Sequence, residues 1–380
     1  MGAIACVRSL GRAGFPVHAC ATATDALGLH SRYAARAVVS PSYADSSFGP
    51  WLRDYIAQHQ IRAIIPSEGL FLAIHTDLEE FTSLLPTTSR PDILRRGFSK
   101  IDAHEALTTD ARVPTVNHIP PSLIVSADRP MPDTDSLRTF GTPLYIKVDA
   151  TYGGPGASAA VYRASTLEAA EARLRRVLAT HRKALVQSHV PGQGVGAFFL
   201  LWNGNVVAEF MHRRLHEVPY TGGVSSLRES WWHQAIRDDA LSKLQALSWQ
   251  GVAMMEYRWD PHTGAFYFIE LNGRFWGSLH LALYAGVDFP RMLADSFFGR
   301  PVESVSTYPL GLRCRNTIPQ EIQHVWSKLR DRTLPASDRL WSILEFALLT
   351  LDPRVKSDLL FPGDTHLFWR RAKRFLMTLA

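Results

Sequence analysis

Two carboxylate-bearing segments are the part of the sequence best suited to chemistry. The first is Gly251–Tyr257, which contains Glu256, and the second is Phe266–Asn272, which carries Glu270 and Asn272. Alternate side chains of a strand point to the same face, so Glu270 and Asn272 project together. If the intervening DPHTG forms a hairpin, Glu256 lies opposite Glu270 only if a small bulge offsets the register. Two carboxylates and an amide oxygen suit Mg²⁺; the alternative is a half-buried strand with solvated acids.

A lysine within an apolar strand is the second candidate. Lys147 lies in LYIKV and is followed by TYGGPGAS, whose glycines are Gly153, Gly154 and Gly156. A glycine-rich turn allows backbone N–H groups to approach phosphate oxygens. The alternative is an edge-strand lysine beside a flexible loop. The segment is not a Walker A loop, because GxxxxGK[ST] is absent from the sequence. The run GQGVG precedes a predicted strand rather than a helix, so it fails as a dinucleotide fingerprint.

Two motifs with catalytic or metal-binding residue types are weaker. His212 and His216 have i, i+4 spacing, but the surrounding sequence predicts a strand, so the spacing does not favour a zinc site. The sequence has no GxSxG motif, and Cys314 has no evident histidine partner. Nucleophilic catalysis is therefore not expected.

A double arginine precedes a glycine-containing loop. Arg213 and Arg214 lie in HRRLHEVPYTGG, and guanidinium groups can hold a carboxylate or a phosphate through two parallel hydrogen bonds. Surface salt bridges are an equal alternative.

Composition sets limits on the class of protein. The 380 residues carry a formal charge of +6 with a pI of about 9.3, and the positive charge is spread along the chain. A nucleic-acid partner is therefore not expected, whereas anionic small molecules are. Three cysteines without CxxC spacing argue against a disulfide framework and a structural zinc. The most apolar stretch, LWSILEFALLTL, has 12 residues including Glu345, against roughly 20 needed to cross a bilayer. With no signal peptide predicted, we expect a cytoplasmic protein.

The first part of the chain predicts α/β units. We expect a helix over 2–10, a strand from about residue 17, a helix over 48–59, a strand over 61–66 and a helix over 69–81. Such alternation indicates a parallel sheet. A strand normally precedes the first helix in this motif. Its absence indicates either that the natural start lies upstream, which we favour, or that the sheet lacks an edge strand.

The middle and end of the chain have a different pattern. Helices are expected near 92–97 and 101–108, and the Pro-, Asp- and Ser-rich run 120–135 is predicted to be a surface loop. From residue 143 onward, β-branched and aromatic runs predict antiparallel strands and hairpins, with helices over 166–182 and 232–249. Such segregation indicates an α+β region. From residue 308 the chain is predicted to be mostly helical and ends in the basic amphipathic FWRRAKRFL.

Taken in order, these motifs resemble the ATP-grasp superfamily, over roughly residues 2–310. The most specific part is GVAMMEYRWDPHTGAFYFIELNGRFWGS. The resemblance implies that Glu256, Glu270 and Asn272 hold two Mg²⁺ ions, with Mn²⁺ as a substitute. It also implies that Arg274 faces the transferred phosphoryl group, a catalytic role shared with Arg214 and Lys147.

The resemblance also implies a nucleotide site. Lys147 and Lys100 correspond to phosphate-contacting lysines, and Gly153, Gly154 and Gly156 to the glycine-rich loop. The run LVQSHVPGQG is similar to the hinge that cups adenine, and it supplies Gln187, Ser188, Val190 and Gln193. Ser188 stands where the family often has glutamate, so recognition of the adenine amino group would depend on backbone atoms and on Gln187 or Gln193.

The resemblance implies three segments and an activity. Residues 1–98 would form an α/β domain lacking its first strand, residues 99–310 the α+β ATP-grasp domain, and residues 311–380 a helical extension that matches no part of the family. The implied activity is ATP-dependent ligation of a small-molecule carboxylate to an amine through an acyl phosphate. A homodimer is a further expectation, since many members are dimeric.

Two alternatives remain open. A bicarbonate-activating carboxylase or carbamoyl-type enzyme uses the same ATP chemistry with another acceptor. The chain could also be a catalytically silent nucleotide-binding protein, or one that docks on a membrane through FWRRAKRFL. Against membrane docking, we expect the C-terminal helix to cover the body of the protein.

Overall fold

A computed structural model describes residues 1–109, 118–153 and 158–378 of the chain. The strands are β1 (His18–Ala21), β2 (Arg36–Val39), β3 (Ser122–Ser126), β4 (Leu144–Val148), β5 (Ala160–Ala164), β6 (Lys183–Ser188), β7 (Gln193–Trp202), β8 (Asn205–Val218), β9 (Val224–Ser230), β10 (Gly251–Trp259), β11 (Phe266–Asn272), β12 (Arg313–Arg315) and β13 (Lys356–Ser357). The helices are α1 (Gly2–Arg12), α2 (Phe48–His59), α3 (Glu68–Ile74), α4 (Leu78–Phe81), α5 (Pro91–Arg96), α6 (Lys100–Thr109), α7 (Thr134–Arg138), α8 (Leu167–Leu178), α9 (Gln234–Ala246), α10 (Leu279–Tyr284), α11 (Phe289–Phe297), α12 (Ile322–Arg330), α13 (Ala336–Leu351) and α14 (His366–Met377).

The chain divides into two compact units. The central unit comprises Tyr43–Gln193 and Gln234–Arg274, and the terminal unit comprises Met1–Ser42, Gly194–His233 and Phe275–Ala380. Each unit draws on more than one of the three segments predicted from the sequence, so this division differs from boundaries at 98 and 310. The three-segment organisation stays a prediction.

The central unit is built on an antiparallel sheet with the order β3-β6-β4-β5. Helix α8 packs against β4, β5 and β6, and the apolar core includes Leu144, Ile146, Leu174 and Val186, each fully buried. The long strands β10 and β11 form an antiparallel hairpin in the same unit. Helix α6 contacts β4, β6 and β11, so it links the sheet to the hairpin.

The terminal unit combines a small parallel pair, β1 and β2, with a sheet of order β7-β8-β9-β12-β13. The pairs β7–β8, β8–β9 and β9–β12 are antiparallel, whereas β12–β13 is parallel. The three cysteines are free thiols. In the part of the chain that the structure describes, no helix is both long and apolar enough to cross a membrane.

The observed elements correct the sequence prediction in three places. Residues 61–66 form no strand, because Ile64 N donates to the carbonyl of Leu84 rather than to a neighbouring strand. The predicted loop at 120–135 contains β3, which pairs with β6. Its Leu-Ile-Val run favours a strand and pairs as the edge strand of the sheet, although the flanking residues are polar. The predicted helix over 69–81 is interrupted and forms α3 and α4.

Candidate functional site

The hairpin brings the two predicted carboxylates opposite each other. Glu256 and Glu270 are register partners, and the register shifts immediately afterwards, where Tyr257 pairs with Phe268. This irregularity leaves Ile269 as the extra residue of β11, and it is the bulge that the sequence count requires. Asn272 Nδ2 donates to Glu270 Oε1 at 2.8 Å, so these two side chains lie on the same face as strand alternation predicts.

The bulge also turns a backbone oxygen toward Lys147. The Lys147 Nζ atom donates to the Ile269 carbonyl at 3.1 Å. Lys147 lies on β4 between β5 and β6 and is only 4% exposed. Burial lowers its pKa to about 8, although the nearby Glu270 and Glu256 partly oppose this effect. The sequence reasoning did not identify Ile269, since a bulge residue has no side-chain signature.

Lys100 reaches the same carboxylate from the start of α6. Its Nζ lies 2.8 Å from Glu270 Oε2. Burial would lower the pKa of Lys100, but Glu270, Asp149 and Glu256 outweigh it, and the pKa is raised. Burial likewise acts to raise the pKa of Glu270, but Lys100 and Lys147 hold it at about 2. The site is therefore a partly buried cluster in which one carboxylate is shared by two ammonium groups.

A buried aspartate connects the elements that carry the two lysines. Asp149 follows β4 directly, is 3% exposed, and accepts hydrogen bonds at 2.9 Å from both Ser99 Oγ and Ile101 N. Asp102 N in turn donates to Ser99 Oγ at 3.0 Å, which caps α6. Asp149 thereby fixes the first turn of α6, and with it Lys100, against the end of β4. The sequence reasoning missed Asp149, although a carboxylate directly after an apolar strand was a usable signal.

A close backbone contact sets the depth at which α6 approaches the hairpin. Gly273 N donates to the Gly97 carbonyl at 2.7 Å. A Cβ atom on Gly97 would lie 2.1 Å from Trp249 Cη2, and one on Gly273 would lie 2.8 Å from the Cα of Gly97. Neither position can therefore carry a side chain without displacing backbone or the indole.

The predicted arginines have other partners. Arg274 Nη2 forms an ion pair with Glu68 Oε2 at 2.8 Å, so in this structure its partner is a helix-terminal carboxylate rather than the Glu270 cluster. Arg214 belongs to the terminal unit, where Nη1 donates to Glu217 Oε1 at 3.2 Å and to the Gly223 carbonyl at 2.8 Å.

The glycine run GQGVG has a packing role. A Cβ atom on Gly194 would lie 2.7 Å from Glu217 Oε1 and 2.8 Å from Arg214 Cδ. The glycine therefore makes room for this ion pair, and the strand position of the run agrees with its failure as a dinucleotide fingerprint. His212 and His216 lie on β8, as the sequence predicts.

The predicted nucleotide residues lie on or next to β6. Gln187 and Ser188 are both buried; Gln187 Nε2 donates to Ser122 Oγ at 3.2 Å and Ser188 Oγ to the Phe140 carbonyl at 2.9 Å. Val190 and Gln193 are half-buried in the segment that follows. Gly153 forms an isolated antiparallel bridge with His181. Gly154 and Gly156 lie outside the described residues, and the adenine and phosphate roles of this whole set stay predictions.

The donor set fits a hard cation. Glu256, Glu270 and Asn272 offer carboxylate and amide oxygens, and the Lys100 ammonium already shows that a positive charge is accommodated on Glu270. Mg²⁺ prefers such ligands and completes its shell with water and phosphate. Over the described ranges, no group of three or more His, Cys, Asp or Glu side chains is arranged to hold a metal ion, so a metal here would depend on Asn272, water and phosphate as well as on the two carboxylates.

Comparison with solved structures identifies proteins of the same architecture. Biotin carboxylase from Campylobacter jejuni, in complex with β,γ-ATP, aligns with a TM-score of 0.60 at 16% identity over 82% of this chain and 72% of that one. The L-amino acid ligase from Bacillus licheniformis aligns with a TM-score of 0.56 at 16% identity over 78% of this chain and 71% of that one.

A third solved structure contains nucleotide, magnesium and bicarbonate. The biotin carboxylase domain of 2-oxoglutarate carboxylase from Hydrogenobacter thermophilus, a dimer in complex with MgADP, ADP and bicarbonate, aligns with a TM-score of 0.61 at 16% identity, covering 82% of this chain and 71% of that one. No family model and no curated protein matches the sequence. All three solved structures are of ATP-grasp enzymes, and the protein described here has the ATP-grasp fold.

Proposed function

We propose that the protein is an ATP-dependent ligase that activates a carboxylate as an acyl phosphate and joins it to an amine, releasing ADP and phosphate. The observation that carries this proposal is the cluster around Glu270, which contacts Lys100 and Asn272 and lies opposite Glu256. The charge of Glu270 also favours the ammonium form of the buried Lys147. Phosphoryl transfer requires positioning and neutralisation of charge rather than a nucleophilic side chain. The cluster supplies these two functions.

Each residue of the cluster has a proposed task. Lys147 and Lys100 bind the phosphate oxygens of ATP, and Glu256, Glu270 and Asn272 hold the metal. When bound, Mg²⁺ neutralises charge that develops on the phosphate oxygens. Lys100 must then exchange its ion pair with Glu270 for a contact with phosphate, which the charge on the nucleotide makes favourable.

The reaction follows from the weakness of a carboxylate as an electrophile. The substrate carboxylate oxygen attacks the γ-phosphorus, the bond to the β,γ-bridging oxygen breaks, and ADP leaves. An amine then attacks the carbonyl carbon of the acyl phosphate and expels phosphate, which takes up the proton that the amine loses. Arg274 is proposed to bind the transferred phosphoryl group after leaving Glu68, and Arg214 to bind a substrate carboxylate.

The adenine end of the site is proposed to lie along β6 and the residues that follow. Gln187, Ser188, Val190 and Gln193 would contact the base, with Gly153, Gly154 and Gly156 near the phosphates. Because the side chains of Gln187 and Ser188 already have protein partners, backbone atoms of this segment are expected to make much of the contact. A homodimer and a cytoplasmic location also stay predictions.

The test is ATP-dependent phosphate release with amino acids and small carboxylates offered singly and in pairs. We expect ADP and phosphate to form in equal amounts only when both substrates are present. Lys147→Met should abolish this release. Lys183→Met is the matched control, because Lys183 lies on the neighbouring strand β6 and pairs with Glu105 at the surface. Release that survives Lys147→Met would contradict the assigned role.

A second candidate, activation of bicarbonate, is favoured by the bicarbonate found with the Hydrogenobacter domain. The same assay separates the two, because ATP hydrolysis that requires bicarbonate and no other carboxylate would identify a carboxylase.

A further inference from the structure

The exposed apolar side chains of this protein are concentrated near its C-terminus. Within the described ranges, fifteen large hydrophobic residues are exposed, and eleven of them lie between residues 326 and 377, including Trp326, Trp341 and Trp369. This segment belongs entirely to the terminal unit. Single exposed apolar residues are ordinary, but a concentrated patch marks an interaction surface.

The patch has a regular structure on α13. Leu340, Leu344, Leu348 and Leu351 are between 50% and 79% exposed, and their spacing of three or four residues places them in one stripe along the helix. Trp341 lies beside this stripe and is 54% exposed. The helix therefore presents a continuous apolar face to solvent.

The opposite face of α13 is held against the protein. Ser342 is buried, Arg315 Nη2 donates to Thr350 Oγ1 at 2.8 Å, and Glu345 Oε1 lies 3.4 Å from His216 Nε2. Phe346 and Leu349 are half-buried on this inner face, so α13 carries apolar side chains both toward the protein and toward solvent. An ordinary surface helix has polar residues on its outer face, where α13 has the leucine stripe.

The net charge of this segment indicates which kind of partner it binds. Residues 326–377 contain ten Lys and Arg against six Asp and Glu, and two of the acids, Asp358 and Asp364, are fully buried in ion pairs with Arg228 and Arg8. The outward charge of the segment is therefore strongly positive. Helix α14 contains four basic residues and no acid.

Helix α14 also exposes apolar side chains to solvent. Leu367 is fully buried and anchors its first turn, whereas Trp369, Leu376 and Met377 are more than 60% exposed. Arg370 and Lys373 are exposed among them. The inner face of α14 packs on the body of the protein, and these exposed residues form its outer face.

We propose that residues 326–377 form a docking surface for an anionic phospholipid membrane, on which α13 lies in the plane of the interface. Helices with Trp and Leu on one face bind there, and the basic residues of the same segment, four of them on α14, add attraction to anionic lipid. The 16 residues of α13 are ~24 Å long, shorter than the ~30 Å hydrocarbon layer, so the helix lies on the bilayer rather than across it. A second copy of the chain fits less well, because it would oppose two strongly positive segments.

The test is sedimentation of the full chain with phosphatidylcholine vesicles that contain phosphatidylglycerol. We expect binding that weakens with salt and is lost on vesicles of phosphatidylcholine alone. Replacing Arg370 and Lys373 by alanine should weaken binding on the order of 25-fold, since each basic residue contributes about fivefold. Leu344→Glu combined with Leu348→Glu should remove binding.

Leu310→Glu is the matched control, because Leu310 is 63% exposed in the same unit but outside the segment. All variants alter exposed side chains, and their folding is checked by thermal unfolding. Failure to bind anionic vesicles, or equal binding to neutral ones, would overturn the proposal. So would a concentration-dependent dimer, measured by analytical ultracentrifugation, that Leu344→Glu dissociates, because the face would then belong to a second copy.

Discussion

Replacing Glu270 by glutamine tests the central feature of the site. Glutamine retains the shape of the side chain but removes the charge shared by Lys100 and Lys147. The two lysines hold the pKa of Glu270 at about 2, against an ordinary value of 4.5. Because a tenfold change in proton affinity corresponds to ~1.4 kcal/mol, the charge stabilises the fold by about 3 kcal/mol at neutral pH. The side chain is only 17% exposed, so solvent screening reduces this value little.

The pH dependence gives the sign of the effect. A carboxyl group whose pKa is depressed by folding contributes stability that is fully present above pH 4.5 and is lost as the pH falls toward 2. Glu270→Gln should therefore lower the free energy of unfolding by about 3 kcal/mol at pH 7 and by progressively less under acid conditions. Urea unfolding without nucleotide measures this difference. Glu80→Gln is the control, because Glu80 pairs with Arg53 at the surface of the same unit.

The same variant tests catalysis. If Glu270 holds the metal, ATP turnover should fall at least on the order of 100-fold, the scale for loss of a preorganised electrostatic group. Affinity for ATP without metal should not fall, because a negative charge next to the triphosphate has been removed. Turnover and stability that both match the Glu80→Gln control would refute the proposed cluster.

Three further predictions concern packing and charge. Gly97→Ala should lower the free energy of unfolding by about 1–3 kcal/mol through overpacking. Gly277→Ala should not, because an added Cβ there meets nothing within 4 Å. Equal thermal stability of the two variants would contradict the close contact at Gly97. Burial opposes a charge on His216, but Glu321 and Glu345 raise its pKa to about 9. The stability that this charge contributes is therefore complete below pH 6.5 and is lost as the pH rises through 9. In urea unfolding, the stability of His216→Gln should converge with that of the unmodified chain above that pH. Arg228→Met leaves the buried Asp358 carboxylate without its partner and should cost about 3–5 kcal/mol in the same assay, whereas an unchanged midpoint would show that the pair contributes little.

The strands that carry Glu256, Glu270 and Asn272 were predictable because their signals are local. Alternation placed Glu270 and Asn272 on one face, and the length of the hairpin required a bulge beside Glu256; both features are present. Helix α2 coincides with the predicted bounds and ends before Gln60, whose backbone is left-handed. Local patterns are informative where a single element determines the outcome.

The remaining features depend on contacts that are distant in sequence. Asp149 and Ser99 are 50 positions apart, and the carbonyl of Ile269 becomes available to Lys147 only because β11 bulges. The run over 61–66 has strand-like composition but finds no partner strand. Whether a segment pairs in a sheet is decided by tertiary context, which a β-propensity does not contain.

The ion pair between Lys100 and Glu270 has a consequence for how substrates enter the proposed site. A metal ion that binds Glu270 by itself must displace an ammonium group and leave Lys100 and Lys147 without their nearest negative charge, which is costly in a partly buried position. A triphosphate that arrives with the metal removes this cost, because its oxygens become the new partners of both lysines. The geometry therefore couples binding of the metal to binding of the nucleotide, and free metal should bind weakly to the protein when ATP is absent.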